Sequence, residues 1–165
     1  MAEYEGYASH MPVLKKILSS VLHIDTILET GMGEFSTRLF VESGAKVTSI
    51  EMNGREWYDK MTALLGGHKN WTPVYAADLQ NALAIIKEFG YADLVFIDGN
   101  GDNRFDQINA CYEITDLIVV HDTEEKGYQW EKVKLPKDWE WFNVKDIRPW
   151  TAIVTPDKKI LDMFK

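Results

Sequence analysis

Residues 25–37 read Asp-Thr-Ile-Leu-Glu-Thr-Gly-Met-Gly-Glu-Phe-Ser-Thr. A short apolar run ends in the acid Glu29, passes through Gly31-x-Gly33, and meets Ser36 where a helix can begin. Such a stretch is a strand, a tight turn and a helix. The first glycine allows the turn out of the strand, and the second lets a ligand approach the backbone closely. The helix start that follows offers unpaired N–H groups. A nucleotide-like cofactor is the natural occupant.

Two cofactor classes compete for such a turn. Dinucleotide sites prefer Gly-x-Gly-x-x-Gly and seat a pyrophosphate on the helix N-terminus, but here Ser36 stands at the third position. Glu29 would repel a pyrophosphate, whereas a carboxylate can accept hydrogen bonds from an ammonium group. S-adenosylmethionine carries an α-ammonium and no phosphate, so Glu29-x-Gly31-x-Gly33 favours it over NAD. A plain strand–turn–helix punctuation is the alternative for this pattern alone.

The segments outward from the turn repeat the same arrangement. Lys46–Glu51 is β-branched and ends in an acid about 20 residues past the turn, the place from which a second parallel strand grips ribose hydroxyls. Residues 72–77 read as a third strand, followed by Asp78, which can reach an adenine edge or cap the helix that starts at Leu79. Residues 93–97 form an apolar run ending in Asp98-Gly99-Asn100, and residues 117–120 one ending in His121-Asp122-Thr123. Helical spacing is expected over 12–22, 36–43, 55–65, 79–89 and 103–114. Alternation of this kind predicts a parallel sheet with right-handed crossovers, and ligands bind outside the carboxyl ends of its strands. After Asp122 two strand-like runs, 139–147 and 150–155, follow with no helix between them and should pair antiparallel.

The order Glu29-x-Gly31-x-Gly33, Glu51, Asp78, Asp98 resembles the class I S-adenosylmethionine-dependent methyltransferases over residues 24–123. Ser9-His10-Met11-Pro12 and Arg148-Pro149-Trp150-Thr151 look like a small branch of that family. The resemblance implies a Rossmann-like α/β fold: a mostly parallel sheet with a C-terminal antiparallel pair, in a three-layer sandwich. It implies transfer of a methyl group to O or N of a small molecule. Glu29 would hold the methionine ammonium, Glu51 the ribose and Asp78 the adenine. Gly31, Gly33, Met52 and Leu79 complete the cofactor set, and Asp98 belongs to it as well. Asp98 and His121 would face the acceptor as catalytic residues, His121 as the base.

Two alternatives stand beside this reading. One is an accessory module that binds S-adenosylmethionine without transfer. The other is a Mg²⁺-dependent O-methyltransferase that uses Asp98 and Asp122, since Mg²⁺ takes oxygen ligands. No third carboxylate or amide ligand is evident, because Asn100 and Asp102 lie in a turn-like run, so no metal is expected. Tyr4, Tyr7 and His10 could fold over the sulfonium with an aromatic face. Trp130 lies in the loop expected to touch substrate.

With 165 residues one domain is expected, residues 1–10 forming an N-terminal arm and 122–138 a pocket loop. A net charge of −8 supplies no basic footprint for a phosphate backbone, so nucleic acid is not an expected partner. There is no apolar run long enough for a membrane span. The N-terminus lacks a basic-then-apolar signal pattern, and the lone Cys111 allows no internal disulfide. A cytoplasmic protein with a small-molecule acceptor is expected, with homodimerisation left open.

Overall fold

In the computed structural model, which describes residues 6–165, seven strands form one sheet in the order β3-β2-β1-β4-β5-β7-β6. The strands are β1 (Thr26–Thr30), β2 (Lys46–Glu51), β3 (Trp71–Tyr75), β4 (Leu94–Ile97), β5 (Ile118–His121), β6 (Glu140–Val144) and β7 (Thr151–Thr155). The first five run parallel. β7 inserts antiparallel between β5 and β6. The expected closing pair is therefore present, and its later strand is the one that joins the parallel sheet.

The helices are α1 (Met11–Ser20), α2 (Ser36–Glu42), α3 (Arg55–Leu65), α4 (Leu79–Glu88), α5 (Arg104–Cys111) and α6 (Lys158–Asp162). They cover both faces of the sheet. Leu14, Ile17, Phe40, Met61 and Phe96 pack in a core on one face. Leu28, Ile50, Ile86, Ile97, Ile108 and Val120 pack on the other. The central strands β4 and β5 are buried along their whole length, which is why they read as continuous apolar runs rather than alternating ones. Two such cores give a three-layer sandwich. α6 carries too short a periodic run to be legible in the sequence.

The strand order reverses between β1 and β4. β1 leads through α2 to β2 on one side, and β4 leads through α5 to β5 on the other. The loops that follow β1 and β4 therefore diverge and leave a crevice at the carboxyl edge of the sheet. No described helix is long and apolar enough to cross a membrane.

Candidate active site

The turn after β1 is held at every backbone group that could move it. Gly31 sits at φ +87°, and its N–H donates to the Ile50 carbonyl at 2.8 Å. A Cβ on Gly31 would lie 2.5 Å from the Gly99 nitrogen, so the β1 and β4 loops touch backbone to backbone. Met32 N–H donates to Glu51 Oε2 at 2.9 Å, and its carbonyl accepts the Trp57 indole N–H at 2.8 Å. Gly33 N–H donates to the Thr37 hydroxyl at 3.0 Å.

Glu29 does not reach the cleft. Its carboxylate accepts hydrogen bonds from the hydroxyls of Ser36, Thr37 and Ser49, each at 2.6 Å, and its exposure is 0%. Burial pushes the carboxyl up to about 7 although the three hydroxyls pull it down. The carboxylate expected to hold a methionine ammonium is here engaged by these three hydroxyls. Glu29 ties the start of α2 to β2 and shapes the turn from behind.

Glu51 is also covered. Oε2 takes the Met32 N–H, and Oε1 takes the Asn53 N–H at 2.5 Å. Burial raises its pKa, against the backbone N–H groups of Asn53, Met32 and Met52. Each oxygen keeps a second lone pair, and Asn53 beside it lines the cleft. Asp78 is exposed and caps α4, accepting the Asn81 N–H at 2.9 Å. Met52 and Leu79 are half-buried beside these two acids. Asp78 and Leu79 line neither of the two cavities described next.

Two cavities meet at Asp98. One, of about 440 Å³, is lined by His10, Met32–Ser36, Trp57 and Asp98. The other, of about 450 Å³, is lined by Asn53, Asp98, Gly99, Gly101, Arg104, His121, Asp122, Tyr128 and Pro149, with Gly6 at its edge. The cavity at the glycine turn has no lysine or arginine in its wall.

Between Asp98 and Asp122 stands Arg104, which is 4% exposed. Its Nη2 lies 3.2 Å from Asp98 Oδ1 and 3.0 Å from Asp122 Oδ2. Its Nε donates to the Gly99 carbonyl at 2.8 Å and its Nη1 to the His121 carbonyl at 2.6 Å. A guanidinium therefore occupies the position that a Mg²⁺ bridging the two carboxylates would take. Asn100 Oδ1 is engaged within a turn, accepting the Asp102 N–H at 3.1 Å. Arg104 was not singled out in the sequence, although it is a lone cation in the acidic run 98–106.

His121 ends β5 at 3% exposure. Nδ1 lies 3.0 Å from Asp98 Oδ1 and 3.3 Å from Asp122 Oδ1, while Nε2 lies 2.7 Å from the Ser9 hydroxyl. Both ring nitrogens thus have protein partners. His121, expected as a base facing the acceptor, lines the second cavity while bonding Asp98 and the N-terminal segment. Burial acts to raise the Asp98 carboxyl. The hydrogen bond and charge of His121 and the Arg104 guanidinium outweigh it, holding Asp98 below its ordinary range and ionised. With 21% of its side chain open, Asp98 still faces the cleft. Asp122 turns into the site through a left-handed backbone, φ +58°, a costly conformation for a non-glycine residue.

His10 lines the cavity at the glycine turn and is 2% exposed. Burial lowers its pKa to about 4; Asp98 pulls it back up, and His121 adds to the lowering. Neither ring nitrogen has a hydrogen-bond partner among the described residues. Of the other aromatics expected there, Tyr4 and the Tyr7 side chain lie outside the described residues. In the 122–138 loop, Tyr128 rather than Trp130 reaches the site. Its ring lies 4.8 Å from the Arg104 guanidinium and packs where a Cβ on Gly101 would fall. Trp130 instead packs against Trp141 at 5.7 Å.

No family model matches the chain, and no curated protein matches it. Solved structures do. A protein provisionally named an O-methyltransferase, from Klebsiella pneumoniae, superposes with a TM-score of 0.65 at 15% identity, over 94% of this chain and 82% of that one. A provisionally named methyltransferase from Streptococcus mutans, solved in complex with SAH, gives 0.66 at 13% identity over 88% and 96%. Another methyltransferase so named, YhhF from Escherichia coli, gives 0.61 at 22% identity over 87% and 82%. The chain has the Rossmann-like fold of the S-adenosylmethionine-dependent methyltransferases.

Proposed function

We propose that the chain is an S-adenosylmethionine-dependent methyltransferase acting on O or N of a small molecule. The observation that carries this reading is the glycine turn, braced by Glu51 and Trp57, opening onto a cavity whose wall holds carboxylates and, among the described residues, no lysine or arginine. Such a wall suits a cationic, phosphate-free cofactor. Asp98 and the Trp57 ring face its sulfonium, and Asn53, with the free lone pairs of Glu51, faces its ribose. When bound, the cofactor supplies an already activated methyl group, so the protein's part is to position the acceptor and exclude water.

The second cavity, at Arg104, Asp122 and Tyr128, is the acceptor side of this reading. Its walls come from the sheet edge and the 122–138 loop, and its volume of about 450 Å³ suits a small molecule. An accessory module that binds the cofactor without transfer is the second reading. It is favoured by His121, whose nitrogens are both engaged by the protein. We place the chain in the cytoplasm on its lone, buried Cys111.

The test is a calorimetric titration with S-adenosylhomocysteine and with NAD, followed by a metabolite screen with methyl-labelled cofactor. Saturable binding of the first and none of NAD is expected, with label transferred to at least one metabolite. Equal binding of NAD, or binding of neither, would refute the cofactor. Binding without any labelled product would leave the accessory module.

A further inference from the structure

We propose that His10, Asp98 and His121 form a binding site for a divalent transition-metal ion, of the Zn²⁺, Fe²⁺ or Co²⁺ class. One potential ligand atom from each residue lies within 4.8 Å of the other two. The three residues come from separate segments: the start of α1, the end of β4 and the end of β5. Nothing local in the chain requires them to meet.

His10 is the observation that calls for a ligand. A neutral imidazole has one N–H and one lone pair. In a ring 2% exposed, both lack a partner among the described residues. Buried polar groups are seldom left so, and an ion is one of the standard explanations. The ring is held in place, 5.1 Å from Phe96 and edge-on to His121 at 4.6 Å. Asp98 is equally ready. Its Oδ1 receives Arg104 and His121, while Oδ2 accepts no hydrogen bond among the described residues. His121 would offer one nitrogen, giving up its bond to either Asp98 or Ser9.

The donor set decides the ion. Two imidazole nitrogens and one carboxylate oxygen suit zinc and its open-shell neighbours, whereas Mg²⁺ prefers oxygen throughout. Bonds of about 2 Å bring ligand atoms to within roughly 3–3.5 Å of one another, so small side-chain rotations complete the site. Charge is compatible as well. Asp98, Asp122 and Arg104 sum to −1, and a divalent ion leaves a single positive charge for an anionic ligand. Three protein ligands leave further positions open, and both cavities converge on Asp98. An acceptor oxygen binding there rests on the methyltransferase reading, but the metal site itself does not.

The test uses the full chain, stripped with a chelator and free of cofactor. Zn²⁺ and Mg²⁺ are titrated by calorimetry, and Co²⁺ by its visible absorption. One equivalent of Zn²⁺ or Co²⁺ should bind at least a hundredfold more tightly than Mg²⁺. The His10→Phe variant keeps the ring packed against Phe96 and removes both nitrogens, and Asp98→Asn removes the charge. Each should weaken Zn²⁺ binding at least tenfold, with thermal melting of the stripped variants confirming that they fold. No stoichiometric binding, or an unchanged Zn²⁺ affinity in folded His10→Phe, would overturn the proposal. A separate titration with S-adenosylhomocysteine reports on the cofactor reading independently.

Discussion

The Ser9 hydroxyl lies 2.7 Å from His121 Nε2, joining residues 112 positions apart. The other ring nitrogen, Nδ1, faces the carboxylates of Asp98 and Asp122. The N-terminal segment is thereby fastened to the end of β5 and closes one side of the cleft. Ser9→Ala removes that hydrogen-bond partner. It should cost about 1 kcal/mol and lower the melting temperature by about 3 °C, read by thermal denaturation. An unchanged melting temperature would mean that packing of α1 alone holds the segment.

Glu29 should make stability fall as pH rises. Its folded pKa, about 7, lies above the ordinary 4.5, so folding takes up a proton between these values. The carboxyl therefore favours the fold fully below about pH 4.5, and this contribution is lost as pH climbs through 7. The size is on the order of 3 kcal/mol. Glu29→Gln, which cannot ionise, should flatten this slope in denaturant titrations run from pH 5 to 8. A slope identical to that of the unmodified protein would show that Glu29 is not its source.

Glu51→Ala leaves the N–H groups of Met32 and Asn53 without their acceptor. The glycine turn loses its brace, and under the proposed function the ribose loses its charged partner. Affinity for S-adenosylhomocysteine should drop at least tenfold, at roughly 1.5–3 kcal/mol per charged hydrogen bond lost. Calorimetry measures this directly, and full affinity in the variant would detach Glu51 from the cofactor.

Gly31→Ala should damage the fold itself. At φ +87° a side chain is strained, and its Cβ would enter the Gly99 backbone at 2.5 Å. Strain and overpacking together should cost roughly 2–4 kcal/mol, visible as a lower denaturant midpoint. Gly44→Ala is the comparison: it has a similar φ of +89° but no atom within 4 Å of the added Cβ, so it should cost less than Gly31→Ala.

The sequence by itself determined the architecture. The alternation of apolar runs and helical stripes, cut by Gly31, Gly44, Gly66 and Gly90, left only a parallel sheet with a closing antiparallel pair. It also determined which strand ends would carry the polar residues, because side chains at the carboxyl edge follow directly from strand order. Asp98 and His121 could be placed side by side in this way.

What each of those polar groups touches was decided only in three dimensions. Glu29 read as a ligand contact because nothing in a linear pattern reveals that Ser36, Thr37 and Ser49 turn their hydroxyls onto it. Arg104 gave no signal, since its role depends on two acids brought together by neighbouring strands. His10 met Asp98 and His121 only because α1 packs across the end of β4. Local propensity and periodicity act over a few residues, and they mark out the strands and helices. The protonation and reach of a buried side chain depend instead on groups up to about 110 positions away, which only the folded sheet brings within a few ångströms.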